Sequence, residues 1–383
     1  MAQIYLDNGA STKVDPDVAA EIGKYFTTKY GNASSNHDFG EEACDALERS
    51  RITIAQALNA APEEIVFTSG GTESSNFALK GIAYANKEKG KDHIITTKVE
   101  HSCVLSSCIW LENHGFKVTY LDVDNEGFVD PENVRNAIGK GTLMVSIIHA
   151  NNEIGTIQDI EKIGNICNEN KIYFHIDACQ SFTKVPIDVK NINVDLITIN
   201  AHKIHGPKGV GALYIKNGTH IESWQHGGGH EKGRRSGTEN IPGIVGFAKS
   251  VELANKTDLN KIKDLRNILI DELLKIKGTK LNGPKEKRLQ NNVNISFEGI
   301  DGEILLEKLN EKGIAASTGS ACSAKKAEPS HVLKAIGLDF DRYPGIIRLT
   351  LSRFTTRDEI DYAIDSFKQI VPYLRGGKKE NGC

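Results

Sequence analysis

The segment Asn200-Ala201-His202-Lys203-Ile204-His205-Gly206-Pro207-Lys208-Gly209 lies between two apolar runs. Both runs, residues 194–199 and 210–215, are rich in β-branched residues, and the segment between them carries the Gly and Pro typical of turns. This pattern predicts a strand, a loop and a second strand. It therefore places the amine of Lys203 at the end of a strand, where an amine can form a Schiff base.

Around this segment, short β-rich runs alternate with helical stretches from about residue 60, which is typical of βαβ units in a mainly parallel sheet. The predicted strands are residues 65–68, 93–97, 117–121, 143–149, 172–177, 194–199 and 210–215, and the predicted helices between them are 72–89, 102–114, 131–138 and 159–170. After Gly243 a helix-rich pattern with strands at 292–297 and 346–351 predicts a second unit. The predicted fold is α/β, with a large seven-stranded domain (residues 14–255) and a smaller α+β domain (residues 1–13 and 256–383).

The composition is that of a globular enzyme, with 383 residues, 39% of them hydrophobic and 25% charged. A formal net charge of -3 indicates no general affinity for nucleic acid or anionic lipid. The beginning of the chain lacks the features of a signal peptide, and no apolar stretch approaches bilayer length, so we expect a cytoplasmic protein. Seven cysteines without a CxxC pair argue against a disulfide framework and against a permanent metal site.

A carboxylate closes one of the predicted strands. Asp177 ends the apolar run 172–177, and a buried carboxylate is unfavourable unless it has a partner. The protonated ring nitrogen of pyridoxal phosphate is such a partner, and that cofactor also requires a lysine such as Lys203. Together Asp177 and Lys203 predict pyridoxal 5'-phosphate as the cofactor.

Other polar groups follow neighbouring strands, and ligands of such sheets bind at the carboxyl ends of the strands. Gly71 and Thr72 open a helix after a strand, so their backbone N–H groups can hold a phosphate. His101 can stack on an aromatic ring and move protons, and Asn152 can bind a phenolic oxygen or a carboxylate. Taken singly, each has a simpler interpretation: a capped turn, a helix-start residue and a turn-forming amide.

Two groups of the second unit can act on a substrate. Cys322 lies in a stretch of small and polar residues that we expect to be mobile, and Lys325 and Lys326 favour its thiolate, so we interpret it as a nucleophile rather than a chance surface cysteine. Arg348 interrupts an apolar strand, where it can bind an amino-acid carboxylate or form a cross-strand ion pair. The glycine-rich cationic segment 227–238 can reach an anion, including one bound by a neighbouring subunit.

These segments resemble the cysteine desulfurases of the NifS/IscS type, within the fold-type I, class V aminotransferase-like enzymes that use pyridoxal phosphate. The resemblance runs nearly end to end through ordered motifs. They are Tyr5-Leu6-Asp7-Asn8, Tyr30-Gly31-Asn32, Thr68-Ser69-Gly70-Gly71-Thr72-Glu73, Glu100-His101, Asn151-Asn152-Glu153-Ile154-Gly155, His175-Ile176-Asp177-Ala178, Ala201-His202-Lys203, Arg235-Ser236-Gly237-Thr238 and Ser317-Thr318-Gly319-Ser320-Ala321-Cys322.

The resemblance implies a role for each candidate residue. Lys203 would carry the cofactor, Asp177 would pair with its ring nitrogen, and His101 would stack on the ring as a catalytic residue. Gln180 and Asn152 would contact the phenolic side of the cofactor ring. The phosphate would be held by Gly71, Thr72, Asn200, His202 and Thr238, with Thr238 coming from the partner subunit of a homodimer.

The resemblance also implies the reaction. Cys322 would attack the sulfur derived from L-cysteine, leaving L-alanine and a Cys322 persulfide, while Arg348 and Asn152 bind the substrate. The sulfur would then pass to an iron–sulfur scaffold or a thiolation protein. Four positions depart from the family pattern: Asn200 replaces a serine that contacts phosphate, Gly71 replaces a common alanine, Ala33 a common proline and Asn36 a common leucine.

Three alternatives stay open at this point. Lys203, Asp177 and His101 would also serve an aminotransferase or another lyase on the same scaffold. Asn200 makes a sulfur-relay or scaffold protein without catalysis conceivable. Cys322 could transiently ligate a nascent cluster in complex with a scaffold, although Cys103 and Cys108 alone are weak grounds for a permanent one.

Overall fold

The computed structural model describes residues 3–87, 90–318 and 329–376. Strands and helices alternate along most of this range. The strands in chain order are β1 Ile4–Tyr5, β2 Ile65–Thr68, β3 His93–Thr97, β4 Lys117–Leu121, β5 Thr142–Ile148, β6 Tyr173–Asp177, β7 Leu196–Asn200, β8 Gly211–Ile215, β9 Thr279–Leu281, β10 Asn292–Phe297, β11 Ile314–Ala315 and β12 Gly345–Thr350. The helices are α1 Pro16–Thr27, α2 Asp38–Leu58, α3 Gly71–Ala85, α4 Ser102–Glu112, α5 Pro131–Ala137, α6 Ile160–Glu169, α7 Ile241–Ala254, α8 Leu259–Leu273, α9 Gly302–Glu311, α10 His331–Ala335 and α11 Arg357–Gly376.

The large sheet has seven strands in the order β2-β8-β7-β6-β5-β3-β4. Neighbouring strands are parallel except at β8, which runs antiparallel to both β2 and β7. The parallel strands end at one edge of the sheet, and the candidate site residues were predicted from the sequence to lie at this edge. The predicted seven-stranded, mainly parallel sheet is confirmed.

Helices cover both faces of this sheet because its strands are apolar on both sides. Successive residues of β3 point to opposite faces, so Ile94 joins the core under α3 and α4, and Ile95 joins the core that includes α2, α6 and α7. Both isoleucines are fully buried. The sheet is therefore a rigid base for the loops at its carboxyl edge.

The second unit has its own sheet and its own core. Strands β12, β10 and β9 pair antiparallel in that order, and α8 and α11 contribute buried side chains to the same core. Strand β1 pairs parallel with β11, so the beginning of the chain lies with this unit. An α+β unit beside the large sheet agrees with the sequence pattern, whereas the predicted domain boundaries at residues 14 and 255 stay predictions.

The structure contains elements that the sequence pattern did not predict. Helices α1 and α2 precede the first strand of the large sheet; α1 begins after the capping residue Asp15 with a proline in its first turn. Helix α3 ends at Ala85 with Asn86 at its C-cap, whereas the prediction extended it to residue 89. Residues 88 and 89 lie outside the described part of the chain.

Candidate active site

The loops that follow strands of the large sheet enclose a cavity of about 390 Å³. Its wall also includes residues of the second unit. Among the residues proposed from the sequence, the wall contains Gly71, Thr72, His101, Asn152, Asp177, Gln180, Asn200, His202, Lys203 and Arg348. Residues not proposed from the sequence also line it: Gly9, Ala10, Ser102, Cys103, Ile148, Glu153, Cys179 and His331. Cys322 lies outside the described residues.

Lys203 follows β7 and reaches across to the loop after β1. Its Nζ donates hydrogen bonds to the backbone carbonyl oxygens of Gly9 and Ala10, the latter at 2.7 Å. Nε2 of Gln180 donates to the same carbonyl of Gly9 at 3.0 Å. The loop after β1 thus contributes backbone carbonyl oxygens to one wall of the cavity. Because these contacts are made by backbone atoms, no side-chain pattern in the sequence indicates this wall.

Asp177 ends β6 inside the cavity with only 3% of its surface exposed. Its Oδ1 accepts a hydrogen bond from the backbone N–H of Cys179 at 2.9 Å. The salt bridges formed within the described ranges do not include Asp177. A buried carboxylate that forms no salt bridge with another described residue suits a cationic ligand group, so Asp177 fits the protonated ring nitrogen of pyridoxal phosphate.

The turn between β2 and α3 is built for close approach of the backbone. Gly70 has a φ of 152°, a conformation that favours glycine. At Gly71, an added Cβ would lie 2.4 Å from Sγ of Cys179. Nδ2 of the buried Asn200, which is a hydrogen-bond donor, would lie 3.4 Å from the same Cβ. A helix N-terminus whose backbone N–H groups and a neighbouring amide donor face one turn fits the phosphate of the cofactor.

His101 both caps a helix and lines the cavity, so the two interpretations of this residue hold together. Its Nδ1 accepts a hydrogen bond from the backbone N–H of Cys103 at 3.2 Å at the start of α4. Burial lowers the pKa of His101; the charge of Lys203 acts in the same direction, and Asp177 opposes it. The neutral ring then carries its proton on Nε2, because Nδ1 is occupied as an acceptor.

Glu100, next to His101, is fully buried and was not proposed from the sequence as a site residue. Its Oε1 accepts hydrogen bonds from Oγ1 of Thr97 at 2.6 Å and from the backbone N–H of Ile148 at 3.0 Å. Its Oε2 has no partner in the described part of the chain. Burial raises the pKa of Glu100 to about 8; the charge of Asp177 acts in the same direction, and the hydrogen bonds from Thr97 and Ile148 oppose it. The side chain is therefore mainly a neutral acid at pH 7.

Arg348 on β12 is 2% exposed and points into the cavity wall. Its Nη2 forms an ion pair with Oδ1 of Asp7 at 3.0 Å, and its Nη1 donates to the backbone carbonyl of Asn152 at 3.2 Å. Nε is buried without a partner among the described residues. The two roles predicted for Arg348 are compatible, because the ion pair leaves part of the guanidinium available to a ligand.

His202 and Thr238, both predicted to hold the phosphate, differ in their position relative to the cavity. His202 lines the cavity with Nδ1 3.3 Å from Oγ of Ser11, and burial with nearby lysines lowers the pKa of His202 to about 4. Thr238 is exposed and lies outside the cavity of its own chain. The segment before it is held by Arg235, which binds Glu73 on α3 through two hydrogen bonds of 2.8 and 3.2 Å.

The chain is similar to known proteins over nearly its whole length. The model of the aminotransferase class-V family matches residues 4–363. Cysteine desulfurase IscS of Methanosarcina thermophila is 50% identical over 375 residues, which are 97% of this chain and 93% of that protein. Cysteine desulfurase IscS of Dictyoglomus turgidum is 47% identical over 377 residues, covering 97% and 95%.

Solved structures are similar over the same extent. A NifS-like protein superposes with a TM-score of 0.92 at 39% identity, covering 97% of this chain and all of that one. The protein SspA in complex with cysteine superposes with a TM-score of 0.83 at 37% identity, covering 93% of this chain and all of the other. These values confirm the predicted fold class.

The chain belongs to the aminotransferase class-V family. Enzymes of this family and of its IscS and NifS members depend on pyridoxal phosphate, so the predicted cofactor is confirmed. Within residues 3–87, 90–318 and 329–376, no helix is both long and apolar enough to cross a bilayer.

Proposed function

We propose that this protein is a pyridoxal phosphate-dependent cysteine desulfurase. L-cysteine and the thiol of Cys322 would give L-alanine and a Cys322 persulfide: the carbon–sulfur bond of the substrate breaks, a sulfur–sulfur bond forms, and the thiol proton passes to the product carbon. Relatives named cysteine desulfurase IscS, about 50% identical over nearly the whole chain, support this activity. L-cysteine as the substrate is supported by the neighbouring structure of SspA, which was solved in complex with cysteine.

One observation carries the proposal: Lys203, Asp177, His101 and Arg348 lie on the wall of one cavity although they are far apart in the sequence. When bound, the cofactor supplies an electron sink that stabilises negative charge on the α-carbon of an amino acid. Lys203 would hold it covalently, and the carboxylate of Asp177 would keep its ring nitrogen protonated.

The remaining residues would orient the cofactor and the substrate. His101 would stack on the cofactor ring, while Gln180 and Asn152 would contact its phenolic oxygen. Gly71, Thr72, Asn200 and His202 would hold the phosphate. The guanidinium of Arg348, together with Asn152, would bind the substrate carboxylate, and its burial strengthens such a charge-assisted hydrogen bond.

We further propose a homodimer in which Thr238 of one subunit contacts the phosphate held by the other. The exposure of Thr238 outside its own cavity supports this arrangement. The sulfur would pass to an acceptor protein for iron–sulfur cluster assembly or thiolation. The proposed location is the cytoplasm, where thiols stay reduced and a persulfide can be passed on.

A single-turnover experiment tests the proposed reaction. The wild-type protein, loaded with pyridoxal phosphate and mixed with one equivalent of L-cysteine, should form one alanine and one persulfide per active site. Cys322→Ser should retain the cofactor absorbance and yield neither persulfide nor alanine in the time that the wild type needs for one turnover. Cys44→Ser, at an exposed cysteine, is the matched control and should behave as wild type. Formation of a 2-oxo acid instead of alanine would favour an aminotransferase.

A further inference from the structure

His331 is a second imidazole in the cavity wall, at the start of α10. The two residues after it, Val332 and Leu333, are at most 1% exposed and pack in one cluster with Val99 and Ile154, which belong to the loops after β3 and β5. This packing fixes the start of α10 against the large sheet. His331 is therefore held in place rather than carried on a free surface.

A hydrogen bond decides which nitrogen of His331 carries the proton. Nε2 lies 2.9 Å from the backbone carbonyl oxygen of Glu100, and because a carbonyl only accepts, Nε2 must be the donor. In the neutral ring Nδ1 then presents a lone pair. Nδ1 has no hydrogen-bond partner within the described ranges and is not fully enclosed by them. A group in the cavity can reach it.

His101 has the opposite arrangement. There Nδ1 is occupied by the backbone N–H of Cys103, and the nitrogen left for a ligand is the protonated Nε2. His101 thus offers a donor to the cavity, whereas His331 offers an acceptor. His202, the third imidazole of this wall, has its Nδ1 3.3 Å from Oγ of Ser11. His331 is therefore an acceptor available to a substrate group that donates a hydrogen bond.

We propose that Nδ1 of His331 accepts a hydrogen bond from the thiol of bound L-cysteine, which makes His331 a specificity-determining residue. The inference rests on the proposed function, in which the substrate carboxylate goes to Arg348 and the amino group to the cofactor. The thiol is the remaining polar group of the substrate, and S–H is a donor. Analogues without that donor lose this contact.

The charged neighbours of His331 leave its Nδ1 lone pair available. The carboxylic acid of Glu153, which burial keeps at a raised pKa, binds Oγ of Ser330 at 2.5 Å. The other titratable groups on the same cavity wall are His101, Cys103, Asp177, Cys179, His202, Lys203 and Arg348. Glu100 faces the ring of His331 through its backbone carbonyl rather than through its carboxyl group.

Two substitutions separate the two ring nitrogens. His331→Gln keeps a donor at the position of Nε2 for the carbonyl of Glu100 but places a methylene group where Nδ1 was. His331→Asn keeps an acceptor at the position of Nδ1 and gives up the contact with Glu100. His114→Gln is the matched control, because His114 is exposed and stacks on Trp110 away from the cavity.

The experiment measures binding to the cofactor-loaded Cys322→Ser protein, titrated with L-cysteine or S-methyl-L-cysteine and followed by the cofactor absorbance. We expect His331→Gln to weaken L-cysteine binding about tenfold, the loss of one hydrogen bond, and to leave S-methyl-L-cysteine binding within twofold. His331→Asn should retain most of the preference for L-cysteine. In a wild-type Cys322 background, kcat/KM for L-cysteine should fall by a similar factor in His331→Gln.

Equal effects of His331→Gln on the two ligands, or no effect on either, would overturn the inference. So would a loss in His331→Asn that equals the loss in His331→Gln. A protein that loads the cofactor but binds neither ligand, with His331 intact, would instead overturn the proposed function. Circular dichroism and cofactor loading of each variant separate misfolding from a lost contact.

Discussion

The close approach of Gly71 to Cys179 predicts a coupled effect of two substitutions on stability. An alanine Cβ at position 71 would lie 2.4 Å from Sγ of Cys179, where non-bonded heavy atoms need about 3.5 Å or more. Overpacking of this kind costs about 1–3 kcal/mol. Replacing glycine in a helix by alanine gains roughly 0.5–1 kcal/mol when the backbone conformation allows it. Gly71→Ala should therefore lower the free energy of unfolding by about 1–2 kcal/mol.

Removing the sulfur atom should reverse the sign of this effect. With Cys179→Ala, the next neighbours of the new Cβ are Asn200 at 3.4 Å and Thr198 at 3.7 Å, which are ordinary contacts. Gly71→Ala should then stabilise the protein by about 0.5 kcal/mol, so the coupling between the two sites is about 2 kcal/mol.

Urea unfolding of the cofactor-free wild type, the two single variants and the double variant measures this coupling. Trp110 and Trp224 are the only tryptophans of the chain, and both pack against the core on one face of the large sheet, so their fluorescence reports on the relevant unit. A coupling energy below about 0.5 kcal/mol would refute the close contact as the reason for glycine at this position.

Two further predictions concern ionisable groups in or beside the cavity. Glu100 has a pKa of about 8 in the folded chain, against 4.5 when unperturbed, so unfolding between pH 4.5 and 8 releases a proton. The free energy of unfolding of the wild type should therefore fall as the pH rises through this range, by on the order of 1.4 kcal/mol per pH unit. Glu100→Gln keeps the acceptor Oε1 and should remove this contribution to the pH dependence of stability. Thermal unfolding of both proteins from pH 5 to 8 measures the difference. An unchanged pH dependence in Glu100→Gln would show that another group causes it. Arg348→Lys replaces a planar, bidentate donor by a single ammonium, and we expect KM for L-cysteine to rise about 10- to 100-fold with cofactor loading unchanged. A KM within twofold of wild type in steady-state kinetics would remove Arg348 from the substrate site.

The large sheet could be predicted from the sequence because its strands are apolar on both faces. The β-branched runs that become β6, β7 and β8 are bounded by turn residues, and parallel strands of this kind place their terminal polar groups at one edge. Asp177 and Lys203 were found in this way. Their positions follow from the chain path alone, without knowledge of side-chain contacts.

Helix α2 was missed because its buried face is inconspicuous in the sequence. That face contains alanines and also Arg51, which is 4% exposed. Arg51 is tolerated there because it binds Glu231, 180 residues away, through two hydrogen bonds of 2.8 and 2.9 Å. A contact so distant in sequence cannot be predicted from a local pattern.

Some residues in or beside the cavity were missed for the same reason. His331 lines the cavity and binds the backbone carbonyl of Glu100, which is 231 residues away in the sequence, and no local spacing indicates such a contact. Ser330 before His331 is a recognisable helix cap, so the start of α10 could have been predicted but its place in the cavity could not. Gly9 and Ala10 act only through backbone carbonyl oxygens.

The covalent attachment of the cofactor tests the central claim most directly. The protein loaded with pyridoxal phosphate is reduced with borohydride, digested, and the modified peptide is identified by mass spectrometry. We expect modification of Lys203. The competing amine is Lys184, because burial, together with the charge of Lys203, lowers the pKa of Lys184 to about 7 and leaves much of it unprotonated near neutral pH. Modification of Lys184 in place of Lys203, or no modified lysine at all, would show that Lys203 does not hold the cofactor.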